Sequence, residues 1–340
     1  MRGGVMRGRM ALVALLARVA LLAPAAVRAQ ETPAVPVMEG TLPDTIVVTA
    51  SRQAEDVRRT GRRVTVWTAP ELARLPVASF DELLRTVGGV EVQSRGGFGV
   101  QSDLTMRGSS FNGVLVLLDG ARLNDPMTGH FAADFPVPLS EIARIEVLRG
   151  PASALYGPDA LGGVVQVFTY TGLQAAALPA ATRDVSLQAQ YGAHALHRLD
   201  GAARLGMGAG FYSVAAAHEA SDGMPVRDAA GEPVVGRDGA VRTDFARRAA
   251  TAAYARALGG AALYARAGLD DRDFGAYHFY TDFPSDTARE ATTTYWAQVR
   301  LQDRQAPDRW QLHLAAKQHE DVYVYNPATP ANRHTSRLLV

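Results

Sequence analysis

RIEVLRGPASALYGPDALGGVVQVFT, residues Arg144 to Thr169, packs two strand patterns and two Gly/Pro corners into 26 residues. Ile145 and Val147 alternate with Arg144, Glu146 and Leu148, the period of a strand. The corners Gly150-Pro151 and Gly157-Pro158 then mark turns. Beyond Gly162-Gly163, the run Val164-Val165-Gln166-Val167-Phe168 reads as the second strand.

Working upstream, residues 64–143 continue as a small mixture of helix and strand. Val64-Thr65-Val66-Trp67 is a strand candidate. Thr68, Pro70 and Glu71 open a short helix reaching about Leu75, with Pro near its first position. Ser79-Phe80-Asp81-Glu82 is a capping box; Leu83, Leu84 and Val87 follow at helical spacing, and Gly88-Gly89 stops the helix. Val90-Glu91-Val92 is a short strand, and Ser102 to Arg107 alternates again. Val114 to Leu118 is a continuous apolar run, hence a buried strand, and Asp119-Gly120 is a hairpin turn signal. Ser140 and Glu141 open a single helical turn.

Downstream, from about residue 184, the texture changes. Segments of roughly ten residues alternate apolar and polar between Gly, Asp and Pro punctuation. Val185, Leu187, Ala189 and Tyr191 alternate with Ser186, Gln188 and Gln190. Tyr295, Ala297, Val299 and Leu301 alternate with Trp296, Gln298 and Arg300. Trp310, Leu312 and Leu314 alternate with Gln311 and His313. Residues 196–206, 210–219, 243–256 and 261–270 are further candidates. Connections at 207–209 and 257–260 are short and Gly-rich, whereas 220–242, 271–290 and 321–335 are long and polar. This is the pattern of transmembrane β-strands, apolar toward lipid and polar toward a lumen, with short turns on one side. A soluble all-β sandwich with one wet face shares the alternation.

The N-terminus reads as an export signal. Arg2, Arg7 and Arg9 precede an apolar stretch from Ala11 to Ala26, interrupted by Arg18 and Pro24, and Val27-Arg28-Ala29 offers a small-residue cleavage site. Removal of residues 1–29 takes five arginines and no acid, leaving 30 Lys+Arg against 34 Asp+Glu, net charge −4. A mildly acidic exported chain is a poor nucleic-acid binder. Residues 30–43 are Pro-rich and aperiodic, a linker. Asp44-Thr45-Ile46-Val47-Val48-Thr49-Ala50 is an isolated β-branched run that can add to another sheet edge, or serve as the first strand of the next domain. The chain has no cysteine, and its only lysine is Lys317. Disulfides and thiol chemistry are therefore excluded. After residue 30 no uncharged apolar run is long enough for a membrane helix. No GxSxG, HExxH, phosphate loop or dinucleotide fingerprint occurs, so no catalysis is assigned.

Four ordered stretches carry a family resemblance. Asp44–Ala50 looks like a TonB box, Met106-Arg107-Gly108 like a family Arg-Gly step, and Leu115–Gly120 (LVLLDG) like a central strand and turn. Arg144–Phe168 looks like a closing motif. Together they make the chain resemble TonB-dependent outer-membrane receptors over residues 44–170. Phe98–Phe131 is most similar to the cobalamin-receptor-like branch, and Phe274-Gly275-Ala276 through Thr281 fits that branch, although siderophore receptors share most of these letters.

The resemblance implies an α+β plug domain seated in a 22-stranded antiparallel barrel. Residues 171–340 accommodate about 8 strands, too few to enclose a plug, so the chain is expected to be the N-terminal portion of a longer receptor. The expected division is signal peptide 1–29, linker 30–63 with the TonB box at 44–50, plug 64–170 and partial barrel 171–340. The implied partners are TonB with its inner-membrane energising complex, a scarce large ligand such as cobalamin, a related corrinoid or a ferric siderophore, and outer-membrane lipid. Asp44, Thr45, Ile46, Val47, Val48, Thr49 and Ala50 would couple to TonB.

Ligand contacts are expected at two plug apices: Arg95, Phe98 and Gln101 in a Gly-rich stretch, and Asn124, Asp125, Thr128, His130 and Phe131 after the hairpin turn. In a barrel loop, Phe274, Tyr277, Phe279 and Tyr280 can stack on a flat ligand or form an interfacial girdle. Asp270, Asp271 and Asp273 are a candidate calcium cluster, with plain solvated acid as the competing reading. Arg107 and Arg149 stand where the family latches plug to wall, and buried arginines demand carboxylate partners; family-like partners are expected in C-terminal strands beyond this chain, with Glu141 and Glu146 as nearer alternatives. The rival readings are a signal-transducing receptor of the same fold, a passive porin and a soluble periplasmic binding module.

Overall fold

A computed structural model of the chain describes residues 47–48, 55–56, 62–96, 100–130, 132–174, 183–236, 239–283, 285–306 and 309–340. All belong to one compact unit, Thr45–Val340. The expected signal peptide lies outside the described residues, as do the expected linker except for residues 47–48, 55–56 and 62–63, and Phe98 and Phe131; of the 44–50 run only Val47 and Val48 are described.

The first part of the unit contains, in chain order, β1 (Val47–Val48), β2 (Glu55–Asp56), β3 (Arg63–Thr68), the helices α1 (Ala69–Leu72) and α2 (Phe80–Arg85), β4 (Val90–Ser94), β5 (Ser102–Met106), β6 (Val114–Leu118), β7 (Ala121–Arg122), β8 (Ile142–Arg149), α3 (Ser153–Tyr156), β9 (Gly163–Thr169) and α4 (Tyr170–Gln174). A five-stranded sheet runs in the order β3-β8-β9-β6-β7. Its β6–β9 pair is parallel and the others are antiparallel. β1 pairs with β2, and β4 with β5, as separate antiparallel ribbons.

The local chemistry explains these elements. The Thr68 amide donates to Glu71 Oε2 at 2.8 Å, closing the first turn of α1. α1 ends at Leu72, short of Leu75. At α2, Ser79 Oγ accepts from the Glu82 amide at 3.4 Å, while the Glu82 carboxylate turns back to the Ala78 amide at 2.7 Å. Phe80, Leu83 and Leu84 point into the core. The apolar run of β6 is buried throughout because it is covered on both faces. Val114, Val116 and Leu118 join a cluster with Leu104, Ile145 and Val165, and Leu115 and Leu117 join another with Leu148 and Val164. Asp119 (φ 48°) and Gly120 (φ 90°) make the turn into β7 with both central residues left-handed, as a type I′ hairpin requires. A Cβ on Gly163 would stand 2.5 Å from the Leu148 carbonyl oxygen, so the closing motif needs glycine where β9 meets β8.

The second part is one antiparallel wall of eight strands in sequence order: β10 (Arg183–Tyr191), β11 (His197–Met207), β12 (Gly210–Ser221), then, after the small hairpin β13 (Val235–Gly236) and β14 (Gly239–Ala240), β15 (Phe245–Leu258), β16 (Ala261–Gly275), β17 (Arg289–Asp303), β18 (Gln311–Val324) and β19 (Asn332–Leu339). The chain is thus a plug domain followed by eight antiparallel strands of a barrel wall. At one end the connections are Gly208-Ala209, Gly259-Gly260 and 304–310. At the other they are 192–196, 222–244, 276–288 and 325–331. The strands run longer than the sequence pattern suggested, so Phe274 lies within β16 and not in a loop.

Alternation decides what each face does. Leu199, Leu205, Tyr212, Val214, Tyr295, Val299, Leu312 and Leu314 face outward and exposed. The intervening positions Arg204, Ser213, Arg247, Arg266, Arg272, Trp296 and Gln298 face inward and are buried against the plug. Trp296 closes the main plug core from the wall side, and its indole donates to the Pro136 carbonyl at 3.2 Å.

Candidate functional site: the lumen mouth and the plug clamp

Two groups of side chains link plug and wall. The first lies at the end with long connections. The β4–β5 ribbon presents Arg95, Gln101 and Asp103, and the chain after Asp125 brings up His130. The 276–288 connection folds over them. Gln101 is wholly buried, and its amide donates to the Tyr280 hydroxyl at 2.6 Å. Arg95 donates to the Phe279 carbonyl, lies 5.4 Å from the Tyr280 ring centre and 3.6 Å from the Asp103 carboxylate. His130 Nδ1 is 3.0 Å from the same carboxylate, and its ring stacks on Phe111 at 4.3 Å. Tyr280 in turn donates toward Glu290 at 3.2 Å and meets Tyr323 edge-on at 5.1 Å. Burial and the Glu290 carboxylate raise the Tyr280 hydroxyl above its ordinary range, so it stays protonated as a donor.

Of the residues expected to touch a ligand, Arg95, Gln101, His130, Phe279 and Tyr280 are therefore brought together. Asn124 is not at the mouth. Its side chain bridges the Val116 amide (2.7 Å) and the Val114 carbonyl (2.8 Å) inside the plug. Asp125 is tied down by the Met127 amide at 2.8 Å and by Ser336. Burial opposes its ionisation, but these hydrogen bonds, with Lys317 nearby, hold its carboxyl below the usual range. The Thr128 amide caps the same carboxylate at 3.3 Å. Phe274 is buried in a cluster with Val100 and Phe245, and Tyr277 stacks on His278 at 3.8 Å. Asp103, Glu290 and Tyr323 were missed, because in sequence they look like unremarkable strand positions.

The second group is a buried clamp. Asp119, in the hairpin turn, accepts from the Thr169 amide and hydroxyl (both 2.8 Å) and from the Tyr264 hydroxyl (2.7 Å). Arg266 lies 3.3 Å from Asp119 and 3.2 Å from Glu141, with all three side chains essentially inaccessible. Glu141 also accepts from Ser213 at 2.7 Å and lies 3.5 Å from Arg204. Arg300 donates to the carbonyls of Asp119 (3.3 Å) and Gly172 (3.1 Å). Higher up, Arg272 pairs with Asp134 at 2.9 Å and with Asp270 at 2.6 Å, while Arg247 pairs with Asp270 and donates to the Phe135 carbonyl, both at 2.8 Å. Burial raises the Asp134 carboxyl to about 6 despite Arg272 beside it.

In this clamp the wall supplies the arginines, and the carboxylates come from the plug (Asp119, Glu141, Asp134) and from the wall's own Asp270. Arg149 donates to the Gly88 carbonyl and to Thr65 within the plug, and burial with Arg63 and Arg107 nearby lowers its pKa. Arg107 is exposed, with a left-handed φ of 51°. Among the described residues no ion pair joins either one to the wall. Glu146 pairs with Arg144 at 2.9 Å, whereas Glu141 does meet wall arginines. The calcium cluster does not form. Strand alternation sends Asp270 inward to Arg247 and Arg272, and Asp271 and Asp273 outward, where Asp273 pairs with Arg289. Among the described residues no group of three or more His, Asp or Glu is placed to hold a metal.

Comparison with known proteins agrees with this fold. Residues 56–164 match the family model described as TonB-dependent Receptor Plug Domain. Among solved structures, the chain is similar to the ferric yersiniabactin uptake receptor of Yersinia pestis (17% identity, TM-score 0.61, covering 82% of this chain and 44% of that one). It is also similar to the alcaligin outer-membrane receptor of Bordetella pertussis (16%, TM-score 0.58, 81% and 41%). A third similar structure is the ferripyoverdine receptor of the outer membrane of Pseudomonas aeruginosa, bound to ferripyoverdine (14%, TM-score 0.56, 86% and 40%). The preference for a cobalamin-like branch finds no support in these likenesses. The chain spans less than half the length of each of these receptors, and at such identities the likeness is one of fold: a plug, matched over residues 56–164, clamped against the first strands of a barrel wall.

Proposed function

We propose that the protein is an outer-membrane receptor that binds a scarce, large nutrient at the lumen mouth and imports it with energy transmitted by TonB. The observation that carries this reading is the clamp itself. A passive pore has no reason to fill its lumen with a folded domain and hold that domain with ion pairs from which water is excluded. The mouth site supplies what capture needs: an arginine, a buried amide and several aromatic faces on a scaffold fixed from both plug and wall.

Ferric siderophores are the ligand class we put first, because the receptors of similar fold include those for ferric yersiniabactin and ferripyoverdine. The coupling segment is Asp44–Ala50, captured by TonB as an added strand. Val47 and Val48 pair with Asp56 and Glu55 in the described structure, so capture would exchange that short ribbon for a longer one. Cells carrying the full receptor should take up radiolabelled iron from one member of a siderophore panel, and only when TonB is present. Val47→Pro removes a backbone donor and should abolish uptake while binding at the cell surface persists. Uptake that continues without TonB would favour a passive pore, and uptake of a corrinoid alone would reassign the ligand.

A further inference from the structure

The outward face of the wall carries a pair of side chains that neither capture nor clamping employs. His197 opens β11, and His218 lies near the end of β12. The register sets His197 opposite Ala220 and His218 opposite Leu199, so the two imidazoles meet diagonally across the strand pair. Their Nε2 atoms are 3.3 Å apart and their ring centres 5.3 Å. His197 Nδ1 lies 3.0 Å from the Ala195 carbonyl oxygen. A carbonyl oxygen only accepts, so in the neutral ring Nδ1 carries the proton and Nε2 offers its lone pair toward His218.

Two imidazole nitrogens on one tetrahedral zinc ion, each at about 2.0–2.1 Å, stand about 3.3–3.4 Å from one another. The observed separation is that distance. A ligating histidine whose other nitrogen donates to a main-chain carbonyl is also the usual supporting arrangement, since it fixes both tautomer and ring angle. We propose that His197 and His218 form a chelating site for a divalent transition metal on the outer face of the wall, with water completing the coordination.

The position suits a soluble ion. Both residues lie at the end with long connections, beyond the apolar positions Leu205, Tyr212 and Val214 on the same strands, and His197 is exposed. Arg248 stands opposite His218 and would repel a cation; Asp271, opposite Arg248 on the next strand, offsets that charge. Among the described residues no third His, Asp or Glu closes the site, so the metal is held openly and exchanges. Occupancy ties β11 to β12 beside the 192–196 connection. By intrinsic affinity copper binds tighter than zinc or nickel.

The test uses the full chain in detergent or outer-membrane vesicles, titrated with zinc alone and, separately, with copper alone. One ion should bind per chain. His197→Ala and His218→Ala should each weaken binding at least about tenfold, and His194→Ala, three residues from His197 and outside the pair, should leave it unchanged. Because the pair lies on the outer surface, heat-modifiable gel mobility should stay that of the wild type. The paramagnetic resonance spectrum of bound copper should show two nitrogen ligands, falling to one in either single variant. Binding that survives in the double variant, or that His194→Ala weakens equally, overturns the proposal, as does a copper spectrum with one nitrogen in the wild type.

Discussion

Arg266 is the position where the clamp can be tested most sharply. Its guanidinium holds both Asp119 and Glu141, at 3.3 and 3.2 Å, with no solvent access to any of the three. Arg266→Met alone removes the cation shared by two buried carboxylates, leaving Asp119 with Thr169 and Tyr264 and Glu141 with Ser213 and Arg204. Breaking a buried ion pair from one side costs about 3–5 kcal/mol; two carboxylates lose the cation but keep other partners, so the middle of that range is expected. At 1.36 kcal/mol per decade, that is a loss of about a thousandfold in the equilibrium holding plug to wall. Asp119→Asn with Glu141→Gln strands the guanidinium instead and should cost a comparable amount. All three changes together leave no unpaired charge at the Arg266 position, and Arg204 keeps Asp184 and the Ser140 carbonyl. The amide oxygen introduced by Asp119→Asn can still accept from the Thr169 amide, and methionine fills the arginine stem's volume beside Trp296, which Arg266 now faces at 5.4 Å. The triple variant should therefore recover most of the loss.

Hydrogen exchange of the β6 and β9 amides reads plug stability directly. Conductance across a planar bilayer reads whether the plug leaves the lumen. Arg266→Met should raise both; the triple variant should return both toward wild type. Unchanged protection in Arg266→Met, or a triple variant as damaged as the single one, would refute the claim that charge pairing and not packing holds the plug.

Two further outcomes follow from the same geometry. Asp134 has a folded pKa of about 6 against 3.8 for the free carboxyl, so the folded state binds that proton more tightly. Its contribution to stability is complete below about pH 4 and is lost, by about 3 kcal/mol, as pH rises through 6; Asp134→Asn should remove that slope from a denaturation series across pH 4–7, and an unchanged slope counts against the assignment. Tyr280→Phe deletes the hydroxyl that satisfies the buried Gln101 amide at 2.6 Å, at a cost of about 1–3 kcal/mol. Exchange in the 276–288 connection should rise about tenfold and ligand affinity should fall, while β6 and β9 keep their protection; equal protection throughout would mean that Tyr280 does not pin the connection.

The fold was legible because its signals are local. The Asp119-Gly120 turn, the apolar run of β6, the glycines around Gly163 and the two-residue period after Arg183 each specify their own conformation. The mouth was legible only where loop residues carried distinctive chemistry, as in Arg95, Gln101 and Tyr280. Asp103 and Glu290 stayed hidden, because nothing in a strand pattern tells which long-range partner an inward carboxylate will meet. Asn124 misled for the opposite reason: a loop amide that looks available is spent on the main chain of β6. The acidic run 270–273 misled because strand alternation separates neighbours in sequence to opposite faces.

The polarity of the clamp has a physical rationale that the sequence does carry, once the wall's alternation is taken seriously. A wall strand can offer only every second side chain to the lumen, and those side chains must reach across to a plug surface of fixed shape. Arginine combines length with a planar fork of donors, so one side chain can satisfy a carboxylate and a main-chain carbonyl at once. Arg204 meets Glu141 and the Ser140 carbonyl of the plug; Arg247 meets Asp270 on the adjoining wall strand and the Phe135 carbonyl of the plug. The plug's turns end in outward carbonyls that only donors can satisfy. A wall lined with carboxylates could not serve them. Arginine at inward positions, in strands whose outward positions are apolar, is therefore the signature by which such a clamp can be sought in sequence: Arg204 beside Leu205, Arg266 beside Ala265 and Ala267, Arg300 between Val299 and Leu301. Each is an expensive charge in an otherwise apolar neighbourhood, and each is explained only by a domain that fills the lumen.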